Sequence, residues 1–182
     1  LHGSHFAGDL LQGDAGRDRI YGYGGADTLS GDADDDFVDG GADADVLDGD
    51  DGHDELLGGG GTGDHLRGGA GDDILRGSDD GADLLEGGLG RDLLFGNGGN
   101  DDLGGDEGDD ILQGGAGDDT LSGGAGADIF VLARDGMADV ISDFQLGIDR
   151  IDLSAWGSIH SLAALTITAT ATPPSLSART AR

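Results

Sequence analysis

A large apolar residue recurs about every ninth position along most of this chain: Ile20, Leu29, Val38, Leu47, Leu56, Leu66, Leu75, Leu85, Leu94, Leu103, Leu112, Leu121 and Phe130. Two positions before each stands an aspartate: Asp18, Asp27, Asp36, Asp45, Asp54, Asp64, Asp73, Asp83, Asp92, Asp101, Asp110, Asp119 and Asp128. Thirteen consecutive copies from Gly13 to Val131 keep both slots, with only two single-residue slips. Each copy predicts a six-residue turn followed by a three-residue strand with its apolar side chain in a core. Residues two apart on a strand share one face, so the aspartate belongs at the end of the turn, before pleat alternation takes over.

The full frame is GGxGxDxUx, where U is the apolar residue, and it is cleanest in Gly68–Arg76 and Gly114–Ser122. Glycine fills the first slot except in the eighth copy, where Ser78 follows an additional residue at Gly77, and the fourth slot except at Asp34, Asp43 and Thr62. Those slots need glycine if the turn visits positive φ, and aspartate is the next most tolerable residue there. Thr62 is β-branched and lies beside the extra Gly58. The coil is therefore expected to be least regular over Gly31–Asp48 and Gly58–Gly63. A leucine-rich repeat would have a longer period and an Asn or Cys ladder. Collagen would need glycine at every third residue and abundant proline, and this chain has 2 prolines.

Composition narrows the partners. The 182 residues include 40 glycines and 38 acids against 9 bases, with no lysine, for a formal net charge of −29. High charge with 4% aromatics is also the signature of a disordered acidic spacer, but a spacer has no reason to hold Asp and Leu in phase. Nucleic acid and anionic lipid both require Lys and Arg, so neither is an expected partner. No apolar stretch is long enough for a membrane span. The five histidines, His2, His5, His53, His65 and His160, share no zinc-ligand spacing. The partner that the charge demands is a cation, and repeated carboxylates among glycine carbonyls offer the hard oxygens that Ca²⁺ prefers. One apolar residue in nine makes a thin core, so folding is expected to depend on the ion.

The nonapeptide, with its unbroken Asp and apolar slots, resembles the calcium-binding repeat of RTX (hemolysin-type) proteins, found as C-terminal β-roll modules of type I secreted proteins. The resemblance covers Gly13 to about Trp156. It implies an all-β fold, a right-handed parallel β-roll (a calcium-loaded β-solenoid) with a C-terminal β cap, in which two repeats complete one coil. One edge would then carry Asp18, Asp36, Asp54, Asp73, Asp92, Asp110 and Asp128, and the other Asp27, Asp45, Asp64, Asp83, Asp101 and Asp119. It further implies that all thirteen are metal ligands, with each Ca²⁺ lying between successive turns of one edge and up to about eleven ions in all.

Four segments follow. Residues 1–12 are a lead-in or degenerate repeat, and Leu1–His5 lacks the marks of a signal peptide, so the chain is expected to begin inside a longer polypeptide. Residues 13–131 are the β-roll. Residues 132–156 are capping strands, with Ala138–Phe144 and Asp149–Ser154 reading as two strands joined by a turn at Gly147. Residues 157–182 form a tail where the resemblance places a type I secretion signal; Thr166–Thr172 alternates like a strand until Pro173, but the apolar terminal residues of such a signal are missing. The chain has no HExxH, GxSxG or other nucleophile constellation, so no catalysis is expected within it. The expected function is calcium binding by a secreted, extracellular or cell-surface β-roll that folds on meeting calcium and stabilises or helps export an attached domain. Its partners would be calcium, an upstream domain of the same polypeptide and the type I secretion apparatus. The alternatives are an accessory module of a secreted protease, lipase or epimerase, and a stand-alone surface rod.

Overall fold

The computed structural model describes residues 1–154; Trp156, the Thr166–Thr172 alternation and the rest of the tail lie outside them. Sixteen strands follow in order: β1 (Leu10–Gln12), β2 (Arg19–Gly24), β3 (Thr28–Ser30), β4 (Phe37–Ala42), β5 (Val46–Asp51), β6 (Glu55–Gly60), β7 (His65–Ala70), β8 (Ile74–Arg76), β9 (Leu84–Leu89), β10 (Leu93–Gly98), β11 (Asp102–Glu107), β12 (Ile111–Ala116), β13 (Thr120–Ser122), β14 (Ile129–Val131), β15 (Val140–Ile141) and β16 (Arg150–Asp152). Odd-numbered strands form one 8-stranded sheet and even-numbered strands another, each stacked in chain order. All strand pairs are parallel, so the chain winds as a solenoid of about eight turns, the parallel β-roll.

The nine-residue period sets the register. Two repeats make one coil, so Leu29 lies opposite Leu47 and Leu94 opposite Leu112 across strands of the same sheet. Each eighth-slot side chain points between the two sheets and is at most 1% exposed, from Ile20 to Phe130. The two rows constitute the core. Leu11, Ile141, Phe144, Ile151 and Leu153 pack against its ends.

Pairing runs further than a three-residue strand. Nine strands span six residues, continuing through the first three slots of the next repeat. Glycine there leaves the coils close enough for backbone bonds to extend into the turn. Positive φ falls on most of the second and fourth slots, not on the first. Second-slot residues include Gly69 at φ 107, Gly88 at 107 and, among non-glycines, Asp32 at 70, Asp50 at 67, Asn97 at 72 and Asp106 at 72.

One of the two stretches expected to be irregular needs correction. Over Gly31–Asp48 the coil is regular, because Asp34 and Asp43 themselves adopt φ of 75 and 78. In the longer turn at Gly58, Gly61 and Gly63 take positive φ at 132 and 86, and Thr62 between them is spared. The first slots of the sixth and eighth copies are Gly58 and Gly77, so Ser78 occupies a second slot and the additional residues sit later in each turn.

The C-terminal strands continue the solenoid. β15 pairs with β13 and β16 with β14, both parallel, so the turn with Gly147 at φ 84 carries the chain from one sheet to the other. This last coil also closes open backbone. The Asp143 carboxylate accepts the Gly123 and Gly124 N–H groups at 3.0 and 2.7 Å, and the Gln145 side-chain amide donates to the Gly124 carbonyl at 2.6 Å.

Candidate metal centre

Every sixth-slot aspartate ends a turn, where the chain is about to enter the next strand. On one edge lie Asp18, Asp36, Asp54, Asp73, Asp92, Asp110 and Asp128, and on the other Asp27, Asp45, Asp64, Asp83, Asp101 and Asp119, the arrangement that an 18- or 19-residue coil imposes. Successive members of an edge are joined directly. The backbone N–H of one donates to Oδ1 of the next, as from Asp36 to Asp54 at 2.7 Å and from Asp101 to Asp119 at 2.9 Å. Its carbonyl accepts from the residue after the next aspartate, as Asp54 does from Ile74 at 2.8 Å.

That leaves one atom over. Oδ2 of Asp27, Asp36, Asp45, Asp54, Asp64, Asp73, Asp92, Asp101, Asp110, Asp119 and Asp128 is buried with no hydrogen-bond partner. A buried carboxylate oxygen without a donor is costly, and a repeated set of eleven along two straight rows points to a missing positive charge. The first-slot glycines show what borders this oxygen. A Cβ on Gly68 would stand 2.5 Å from Asp73 Oδ2 and 2.5 Å from the Gly87 carbonyl oxygen of the next coil, and one on Gly105 would meet Asp110 Oδ2 and the Gly123 carbonyl at 2.4 and 2.7 Å. The glycine therefore keeps open a space on which a carboxylate oxygen and a backbone carbonyl converge.

Electrostatics agree. Burial pushes Asp45, Asp54 and Asp92 up to about 7, against the N–H bond from the preceding aspartate, and neighbouring carboxylates add to the rise. Burial likewise raises Asp64, Asp73, Asp101 and Asp110 to about 6. A charge so disfavoured in the bare fold is one that a bound cation would restore.

Among the described residues no three His, Cys, Asp or Glu side chains are placed so that together they could hold a metal ion. A cation here would draw on carboxylates from successive coils and on main-chain carbonyls, an all-oxygen set that suits Ca²⁺ with its six to eight ligands in flexible geometry.

The ladder runs past the thirteen copies. Asp9 donates to Asp27 Oδ1 at 2.7 Å, while Asp119 and Asp128 donate to Asp139 and Asp149 at 3.4 and 3.2 Å. The Asp-x-apolar triplets Asp9–Leu11, Asp139–Ile141 and Asp149–Ile151 carried this signal; Asp9 keeps the nine-residue step to Asp18 but lacks the glycine frame before it, whereas longer turns hid the period at the C-terminal two. Asp9 and Asp149 differ from the eleven with a partnerless Oδ2, since their Oδ2 atoms accept the Ser4 and Gln145 N–H groups, each at 2.6 Å.

Two stacked parallel sheets flanked by buried aspartate rows define a carboxylate-edged β-solenoid. The model of the RTX calcium-binding nonapeptide repeat (4 copies) matches residues 7–38, 30–63, 58–80, 78–112 and 104–135, together well over half of the chain. The chain belongs to this family, whose repeats bind Ca²⁺ in a β-roll. No curated protein matches the chain closely enough to count as a relative.

Proposed function

We propose that the sixth-slot aspartates hold a row of calcium ions along each edge of the β-roll, and that the array folds when it meets calcium outside the cell. The observation that carries this reading is the set of eleven buried Oδ2 atoms without a donor. When bound, calcium supplies the positive charge that those oxygens lack.

The chain's own groups do the rest. From Asp27 onward each Oδ1 is fixed by the N–H of the preceding coil, which aims Oδ2 at the space beside the first-slot glycine. The glycine carbonyl of the next coil lines the same space. Without the ion, a net charge of −29 opposes compaction and a core two side chains wide offers little in return. At millimolar extracellular calcium even weak sites contribute by mass action, a contribution lost at cytosolic levels. The module would thus stay unfolded through export by a type I apparatus and fold afterwards, stabilising an upstream domain of the same polypeptide. Far-UV circular dichroism tests this: a β spectrum in millimolar calcium that collapses in EGTA supports it, and an unchanged spectrum in chelator refutes it.

A further inference from the structure

Asp83 departs from the internal aspartates around it. It is 4% exposed and joins the ladder in the ordinary way, with its Oδ1 accepting from Asp64 N–H at 2.9 Å and from Gly63 N–H at 3.2 Å. Its Oδ2, however, is not left without a donor. Ser78 donates its N–H to that oxygen at 2.7 Å, and the Ser78 hydroxyl lies 2.9 Å from it. The same hydroxyl is 3.0 Å from the Gly61 carbonyl of the preceding coil. On its other side the Asn97 amide donates to the Gly77 carbonyl at 2.9 Å, occupying the first-slot carbonyl of this turn.

The length of the turn does not explain the difference. Gly58 to Asp64 and Gly77 to Asp83 each contain the additional residue, and both first-slot glycines abut their aspartate's Oδ2, at 2.6 and 2.8 Å from the Cβ position. Yet Asp64 Oδ2 has no partner. The two turns differ at every position between the first glycine and the aspartate, but the group that reaches Oδ2 comes from the second slot, where one has Gly59 at φ 99 and the other Ser78, a 1% exposed residue that is not among those with positive φ. The serine keeps an ordinary backbone conformation and turns its N–H and hydroxyl onto the carboxylate.

We propose that Ser78 replaces the ion at this position, so that Asp83 Oδ2 takes no calcium. The edge containing Asp83 is then divided into two shorter runs, Asp27–Asp45–Asp64 and Asp101–Asp119, whereas the opposite edge runs unbroken from Asp36 to Asp128. The chemistry at Asp9 and Asp149 is the same, since an amide from within the turn closes Oδ2 where the row ends. Ser78 places such an end inside the roll. The inference rests on the calcium reading above and adds to it a break in one row.

Counting ions tests it. Native mass spectrometry of the full chain in calcium gives integer occupancies for the wild type and for Ser78→Gly, which removes the hydroxyl and permits positive φ. Ser78→Gly should carry one or two calcium ions more than the wild type, for the intervals on either side of Asp83, and an equal count overturns the proposal. Should Ser78→Gly not fold, a calcium-loaded crystal of the wild type decides: anomalous density beside Asp64 and Asp101 Oδ2 but not beside Asp83 Oδ2 supports the break, and density at Asp83 overturns it. A wild type that holds no calcium would overturn the calcium reading itself, and the break with it.

Discussion

Gly68 and Asp73 stand so close that a methyl group on the first would lie 2.5 Å from Oδ2 of the second. The same contact recurs at each first slot of the repeat, so the glycine there serves proximity, not φ. Gly68→Ala should push the Asp73 carboxylate off its axis, lowering the melting temperature of the calcium-loaded form by several degrees and weakening calcium binding. Gly104→Ala is the control. It lies on the outer face of β11 with its nearest neighbour, the Leu85 carbonyl, 4.0 Å from the Cβ position, and it has no positive φ. It should be neutral or stabilise by about 0.5 kcal/mol through the unfolded chain. Thermal melts of both variants check the contrast.

Asp92→Ala removes the acceptor of the Asp73 N–H, now 2.8 Å from Asp92 Oδ1, and one orphan oxygen. The stranded amide alone costs about 1 to 3 kcal/mol. Ions flanking that position on its edge should be lost, while those beside Asp101 and Asp119 remain. Calorimetric stoichiometry checks this, and loss of all binding would show that the two edges do not act separately.

Leu94→Ala empties part of a core only two side chains wide, next to Leu75 and Leu112 in register. Denaturant unfolding in saturating calcium should show a loss of about 2 to 5 kcal/mol. Leu89→Ala, at a side chain 51% exposed, should change little.

Acidity should act in opposite directions with and without calcium. Asp45, Asp54 and Asp92 titrate at about 7 in the bare fold against 3.8 ordinarily. Between those values the fold binds protons that the unfolded chain has released. The ion-free fold is therefore most stable below about pH 4 and loses that stability as the pH rises through 6 and 7. Calcium needs the carboxylates ionised, so its apparent affinity grows over the same interval. Circular dichroism should show β structure appearing in EGTA on acidification from pH 7.5 to pH 4, and a higher half-saturating calcium concentration at pH 5.5 than at pH 7.5. A chelated chain whose spectrum ignores pH would contradict this.

The two unbroken slots made most of the architecture legible. An apolar residue every nine positions, with its aspartate two before, assigns core, turn end and edge for residues as far apart as Asp18 and Asp128, because stacking identical coils leaves no other register. The glycine slots were harder to read. A string such as Gly58–Gly61 permits several frames, and only the approach of Gly58 to Asp64 shows which residue comes first. Ser78 looked like a failed first-slot glycine for the same reason, whereas its hydrogen bonds to Asp83 depend on backbone direction within a turn, which periodicity does not encode. The last coil was visible as two strands but not as part of the roll, since register steps of 20 and 21 residues, Leu121 to Ile141 and Phe130 to Ile151, break the nine-residue count.

Whether the partnerless Oδ2 atoms face calcium can be seen in crystals grown in millimolar calcium, with data collected for its anomalous signal. Peaks are expected between successive coils on both edges, about 2.3 to 2.6 Å from the Oδ2 atoms of aspartates such as Asp54, Asp73 and Asp110 and from neighbouring backbone carbonyls. Rows of ordered aspartates with no anomalous density beside them would contradict it.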